Sequence, residues 1–321
     1  MTSDAPHSDE PAPSPFDVER LTQQVHAALR GARPIDPALA RPAAWGDAVQ
    51  ALIAAGQLEA AGHALPTLRA AYPGHAYFTG AAHLLELVPP SDGSEFTDER
   101  TTGCQVVPFE GSDTVLFSFV AGGRMGLPTG VVHRWLRRLG VHLVYLRDRS
   151  GRLYLRGVEA LGGTYEGTLD GMHGVARELG ASRILCMGLS NSGYAALRYG
   201  LDLKAAAALS FSPVTHLPPG QVAPAVAELR RRGATDVTEA ELAGMDLKPK
   251  IIAAGAATRL RIVFGEANPA DRMQAEHVRD LPGVSLGPLP IAGHNALYRS
   301  VLSGDFDSEL AWLTERWADE P

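Results

Sequence analysis

Ser190 is the residue whose surroundings suit nucleophilic chemistry. It joins an apolar run to a small-residue stretch in "RILCMGLSNSGYAAL" (183–197). A sharp strand-to-helix turn can present a serine hydroxyl only if the residues two before and two after it are small. Gly188 and Ser192 stand at those places, although glycine is commoner at the second. A serine hydroxyl is a weak nucleophile alone. It needs a base, a group that orients the base, and N–H donors for the oxyanion that forms. The same residues equally suit a polar side chain that merely ends a buried strand, so the decision lies elsewhere in the chain.

The elements that would position these groups show as alternating patterns. Short β-branched and aromatic runs, "TVLFSFV" (114–120), "HLVYLR" (142–147), "RILCMG" (183–188), "AAALSFS" (206–212), "RIVFGE" (261–266) and "VSLGPLP" (284–290), alternate with amphipathic stretches such as "TLDGMHGVARELG" and "DFDSELAWLTERW". Nearly all-apolar strands alternating with helices predict an α/β fold: a doubly wound, mostly parallel sheet covered on both faces. "CQVVPFEG" is expected to add an antiparallel edge strand. Residues 213–258 are too long for a simple crossover and carry their own helical signals, "VAPAVAELRRR" and "TEAELAGM". They read as a helical cap inserted over the carboxyl edge of the sheet.

Before this region, residues 1–15 are Pro/Ser-rich and acidic, a composition expected to be disordered. Residues 16–90 have three- and four-residue apolar spacing and form a small all-helical domain. Residues 91–103 are polar and rich in turn formers and serve as a linker, leaving 104–321 for the sheet domain. Within the helical segment, Trp45, Gly56, the small Ala60 and Ala61, and a Tyr-Pro ending resemble one tetratricopeptide-like repeat. A single repeat cannot bury its own face, so it is expected to pack on the main domain, a protein partner or a second copy.

Composition excludes several classes. A net charge of −7 argues against nucleic-acid binding, and Arg230–Arg232 read as a solvated helix end. With two cysteines, far apart, no disulfide framework is expected. The acidic N-terminus lacks the basic and apolar regions of a secretory signal, and no apolar run approaches the roughly 18 residues of a membrane span. A cytoplasmic location is expected. His26, His63, His75 and His83 lack metal-site spacing, and "AGGRMG" lacks the ending of a phosphate loop, so no metal or cofactor is expected.

"GLSNSGYAAL", with a strand before it and a helix after, resembles the nucleophile elbow of the α/β-hydrolase superfamily, in particular members reading Gly-x-Ser-x-Gly-Gly-Tyr-Ala-Ala-Leu. The resemblance covers about residues 105–320. It implies the chain order nucleophile, acid, histidine, the last two in loops after the two final strands. His294 in "IAGHNAL" falls where the superfamily's histidine does. Either Asp271 or Glu266, in "GEANPADRMQAEH", fills the place of the acid. Asp271 resembles the usual position, yet aspartate also suits a helix N-cap there. The backbone N–H of Asn191, with a donor from Gly122 or Gly123, would form the oxyanion hole. Arg124, Leu189 and His216 are candidates to line the pocket.

The implied activity is a serine hydrolase acting on an ester or thioester through an acyl-enzyme. The substrate would be a small-molecule or, by analogy with relatives, glycan-linked acyl group. An acyltransferase would use the same residues, and a binding or scaffold protein could retain the fold without the chemistry.

Overall fold

The computed structural model describes residues 15–91, 96–120 and 127–316. Most of the expected N-terminal tail (1–14) therefore lies outside the described residues, as do Gly122, Gly123 and Arg124. The chain divides into two compact units, Met1–Val88 and Pro89–Pro321.

The first unit is helical: α1 (Pro15–Leu29), α2 (Pro42–Ala54), α3 (Leu58–Ala71) and α4 (Ala76–Leu87). Gly56 (φ +75°) and Gly74 (φ +81°) take the left-handed turns between the last three helices. Apolar residues at helical spacing meet in its core, among them Leu21, Val25, Trp45, Leu52, Leu68 and Phe78. Trp45 Nε1 and the Tyr72 hydroxyl both donate to Pro37 O, at 3.1 and 2.6 Å, closing the α1–α2 connection over that core.

The second unit is built on seven strands: β1 (Cys104–Val107), β2 (Thr114–Val120), β3 (His142–Arg147), β4 (Arg183–Leu189), β5 (Ala207–Phe211), β6 (Arg259–Gly265) and β7 (Val284–Leu289). Their order is β1-β3-β2-β4-β5-β6-β7. The β1–β3 pair is antiparallel and the other five pairs are parallel. Helices follow as α5 (Thr129–Arg137), α6 (Tyr165–Glu178), α7 (Ser190–Asp202), α8 (Pro219–Arg231), α9 (Glu239–Ala243), α10 (Lys248–Ala254), α11 (Pro269–His277), α12 (Ala296–Ser303) and α13 (Asp305–Thr314). This is the doubly wound sheet that the apolar runs predicted, with its antiparallel edge.

Side chains alternate between two cores, as a period of two requires. Val115, Phe117, Phe119, Cys186, Ala208 and Ile262 face a cluster that includes α6, α7 and α11. Phe211 faces the other way and meets Phe306 of α13, which also packs edge-on against Trp135 of α5. Each fully buried Leu or Phe contributes about 1.5–3 kcal/mol, so both faces are strongly specified.

The insertion from 213 to 258 forms α8, α9 and α10. It is not an isolated lid: Val222, Val226, Leu242 and Ile251 belong to the same core as α7. Ion pairs join it to the loop after β3, where Arg156 meets Asp236 and Glu241, each at 2.6 Å. Arg231 and Arg232 lie on the α8 end, 75% and 72% exposed, paired with Glu228 of the same helix. Residues 96–103 also pack on this unit. Phe96 stacks on His133, and Asp98 pairs with the buried Arg147 at 2.5 Å. Among the described residues no helix is long and apolar enough to cross a membrane.

Candidate active site

β4 runs into α7 with no intervening loop, and Ser190 sits at the junction with φ +56°. A left-handed conformation costs a non-glycine residue about 1–2 kcal/mol, and the turn holds it by close packing. A Cβ on Gly188 would lie 2.2 Å from Ser192 O. One on Gly193 would lie 2.3 Å from Ser210 Oγ, so only glycine lets α7 approach β5 there. Ser192 differs from the commoner glycine for a local reason. Its buried hydroxyl accepts from Leu189 N at 3.1 Å and donates to Leu189 O at 2.8 Å. The side chain folds back on the turn and ties it.

His294 lies in the loop between β7 and α12. That loop is pinned over the end of β6 by Glu266 N–H to Leu289 O (2.9 Å) and Ala267 N–H to Ile291 O (3.1 Å). His294 Nε2 lies 2.9 Å from Ser190 Oγ, and its Nδ1 lies 2.6 Å from Asp271 Oδ1. The Asp271 hydrogen bond and charge hold the imidazole pKa above its ordinary value, against a smaller opposing effect of burial. A proton on Nδ1 directed at the carboxylate leaves Nε2 as an acceptor facing the serine.

Asp271 is 3% exposed, in the first turn of α11. The helix is capped by another residue: Asn268 Oδ1 accepts from Ala270 N and Asp271 N, at 3.0 and 3.2 Å. The Asp271 carboxylate is thereby released from capping, and Glu266 remains exposed on the preceding loop. Of the two carboxylates, it is Asp271 that meets the histidine.

Asn191, in the first turn of α7, has a backbone N–H with no carbonyl of its own helix to bond. Leu189 is buried beneath the turn. His216 turns toward α11, stacking on His277 with ring centroids 3.8 Å apart. Burial and the neighbouring His277 keep its pKa below the ordinary imidazole value. Neither cysteine competes as nucleophile, because burial pushes the Cys104 thiol up to about 11 and Cys186 higher still.

No protein-family model and no curated protein matches the chain. Solved structures do. MGS-MChE2, an α/β-hydrolase enzyme from the metagenome of sediments of the Mar Chica lagoon in Morocco, is 13% identical. It covers 66% of this chain and 94% of its own, with a TM-score of 0.47. A carboxylesterase structure from the Thaumarchaeon Nitrososphaera gargenis is 11% identical over 65% of this chain and 93% of its own, TM-score 0.45. The 2,6-dihydroxy-pseudo-oxynicotine hydrolase, 14% identical, covers 95% of this chain and 90% of its own, with a TM-score of 0.52. The chain has the α/β-hydrolase fold.

Within this α/β-hydrolase fold, Gly193 falls on the second glycine of the Gly-Gly pair in the pattern Gly-x-Ser-x-Gly-Gly-Tyr, and its close approach to β5 gives the physical reason. One residue at the site has no such motif. Ser212, the residue after β5, donates its hydroxyl to Asp271 Oδ2 at 2.8 Å. The only signal for it was a polar residue closing an apolar run.

Proposed function

We propose that the protein is a serine hydrolase that cleaves a carboxylic ester or thioester through an acyl-enzyme. One observation carries this reading: His294 bridges Ser190 Oγ, at 2.9 Å, and the buried Asp271 carboxylate, at 2.6 Å. Ser190 Oγ attacks the carbonyl carbon while His294 Nε2 takes its proton. Asp271 remains an anion throughout, keeps the proton on Nδ1 and stabilises the imidazolium. The oxyanion is received by the Asn191 N–H, with the loop after β2, through Gly122 or Gly123, as the second donor. His294 then protonates the departing alcohol or thiol, leaving an ester on Ser190. A water, deprotonated by His294, attacks that ester, and His294 returns the proton to Ser190 Oγ as the bond to the acyl carbon breaks and the acid is released. An alcohol in place of water gives acyl transfer with the same residues.

The test is labelling by a fluorophosphonate probe, which forms a P–O bond to an activated serine and expels fluoride. Wild type is expected to label, Ser190→Ala not at all, and His294→Ala only weakly. A folded wild-type protein that stays unlabelled would sink the reading. With labelling established, an ester and thioester series with and without an added alcohol separates hydrolysis from transfer by its products.

A further inference from the structure

β5, the neighbour of β4 in the sheet, also hands the chain to a serine in the left-handed region: Ser212, φ +44°. Its N–H extends the β5–β6 ladder by donating to Val263 O at 2.7 Å. That turn sends the hydroxyl to Asp271 Oδ2, the oxygen that His294 does not use. Ser212 is 1% exposed, so the bond is shielded from water.

The chain beyond Ser212 is fastened to the same helix. Thr215 N–H and His216 N–H converge on Gln274 Oε1, at 2.7 and 3.1 Å, and Thr215 Oγ1 donates to Gln274 O at 2.7 Å. Next, His216 stacks on His277, whose Nε2 lies 2.7 Å from Asp246 Oδ1. Asp271, Gln274 and His277 recur at three-residue steps and so share one side of α11. The segment leaving β5 therefore grips, at three points, the helix that carries the acid.

We propose that Ser212 is a positioning residue for Asp271: its hydroxyl fixes the rotation of the carboxylate, so that Oδ1 stays aimed at His294 Nδ1. The proposal rests on the catalytic reading above. A carboxylate turns broadly about its last side-chain bond unless both oxygens are held. The His294 side chain is 54% exposed, so its ring depends on the Asp271 bond for orientation. A misdirected carboxylate would leave His294 free to swing from Ser190.

Two variants separate positioning from a merely structural role. Ser212→Ala and Ser212→Gly both delete the hydroxyl but differ in the backbone, since glycine adopts φ +44° without strain and alanine does not. Two readouts are needed: ester kinetics, and NMR titration of the labelled histidines, with His294 assigned by His294→Ala. His216, at the far end of the segment leaving β5, serves as an internal reference. We expect both variants to lose about 10- to 100-fold in kcat, with KM changed less than about two-fold. In both, the His294 pKa should fall toward the ordinary imidazole value. Should the variants differ only in melting temperature, with kcat and the His294 titration as in wild type, the proposal is overturned. A wild type that neither labels nor turns over esters would fell the catalytic reading alone, because the His294 titration still decides the positioning.

Discussion

Ser190 and Ser212 close adjacent strands of one sheet, both in the left-handed region, at φ +56° and φ +44°. The backbone device is shared, and the surroundings are opposite. Around Ser190 the residues two before and two after are small, and the hydroxyl is partly open to solvent and lies 2.9 Å from His294 Nε2. Around Ser212 stand Phe211 and Pro213, the residue is buried, and its hydroxyl faces a carboxylate. Of the two hydroxyl-bearing residues, only Ser190 is reached by solvent to more than a trace. A left-handed serine at a strand end is therefore a way of carrying a hydroxyl across the sheet edge, and on the proposed function what it meets there decides whether it reacts or holds.

The sharpest challenge to this contrast is the residue that both serines reach, one directly and one through His294. Asp271→Asn keeps the shape but lets an amide N–H face Nδ1, which favours the tautomer with the proton on Nε2. That tautomer cannot accept from Ser190, and a loss of about 10⁴-fold in kcat is expected. Single-turnover ester kinetics would measure it. A loss no larger than that of Ser212→Ala would collapse the distinction between the acid and the residue that positions it.

A smaller effect concerns pH. The folded His294 pKa is raised above the ordinary 6.5 by the Asp271 hydrogen bond. Because the base must be neutral to accept a proton, kcat/KM should rise with pH through a midpoint above 6.5 in wild type. In Asp271→Asn that midpoint should move down. Stability runs the other way. A raised folded pKa favours the protonated native state, so this contribution is complete below pH 6.5 and is lost as pH rises through the folded value. Comparing denaturant unfolding of wild type and His294→Ala across that window would read it. A limb below 6.5 in wild type would contradict the Asp271–His294 coupling.

The same contrast explains what the sequence made legible. β2 through β6 were readable because each is largely buried on both faces and is written mostly in apolar residues, as in "TVLFSFV", whereas β7, at the sheet edge, is only partly buried. His294 and Asp271 were placed by their order after the last two strands, which the resemblance supplied. Choosing Asp271 over Glu266 needed space: Asn268 had to take the cap before the Asp271 carboxylate was released. Ser212 was out of reach because its partner is 59 residues away in sequence and no small-residue signature surrounds it. Residues 96–103 look like a polar linker for the same reason. The Asp98–Arg147 pair that seats them spans 49 residues.

The two turns also differ in what fixes the backbone, and here the smallest effect is the most telling. After β5 the left-handed step is held by the sheet itself, through Ser212 N–H to Val263 O. After β4 it is held by a side chain, through the two bonds between Ser192 Oγ and Leu189. Ser192→Ala would leave the buried Leu189 N–H without that acceptor, which typically costs about 1–3 kcal/mol. The packing of Gly188 and Gly193 would remain, so kcat is expected to fall only a few-fold. Denaturant unfolding together with ester kinetics would separate the two quantities. A large loss of kcat with unchanged stability would instead show that Ser192 aims the Ser190 hydroxyl, giving the β4 turn a positioning residue of its own, as Ser212 is for Asp271.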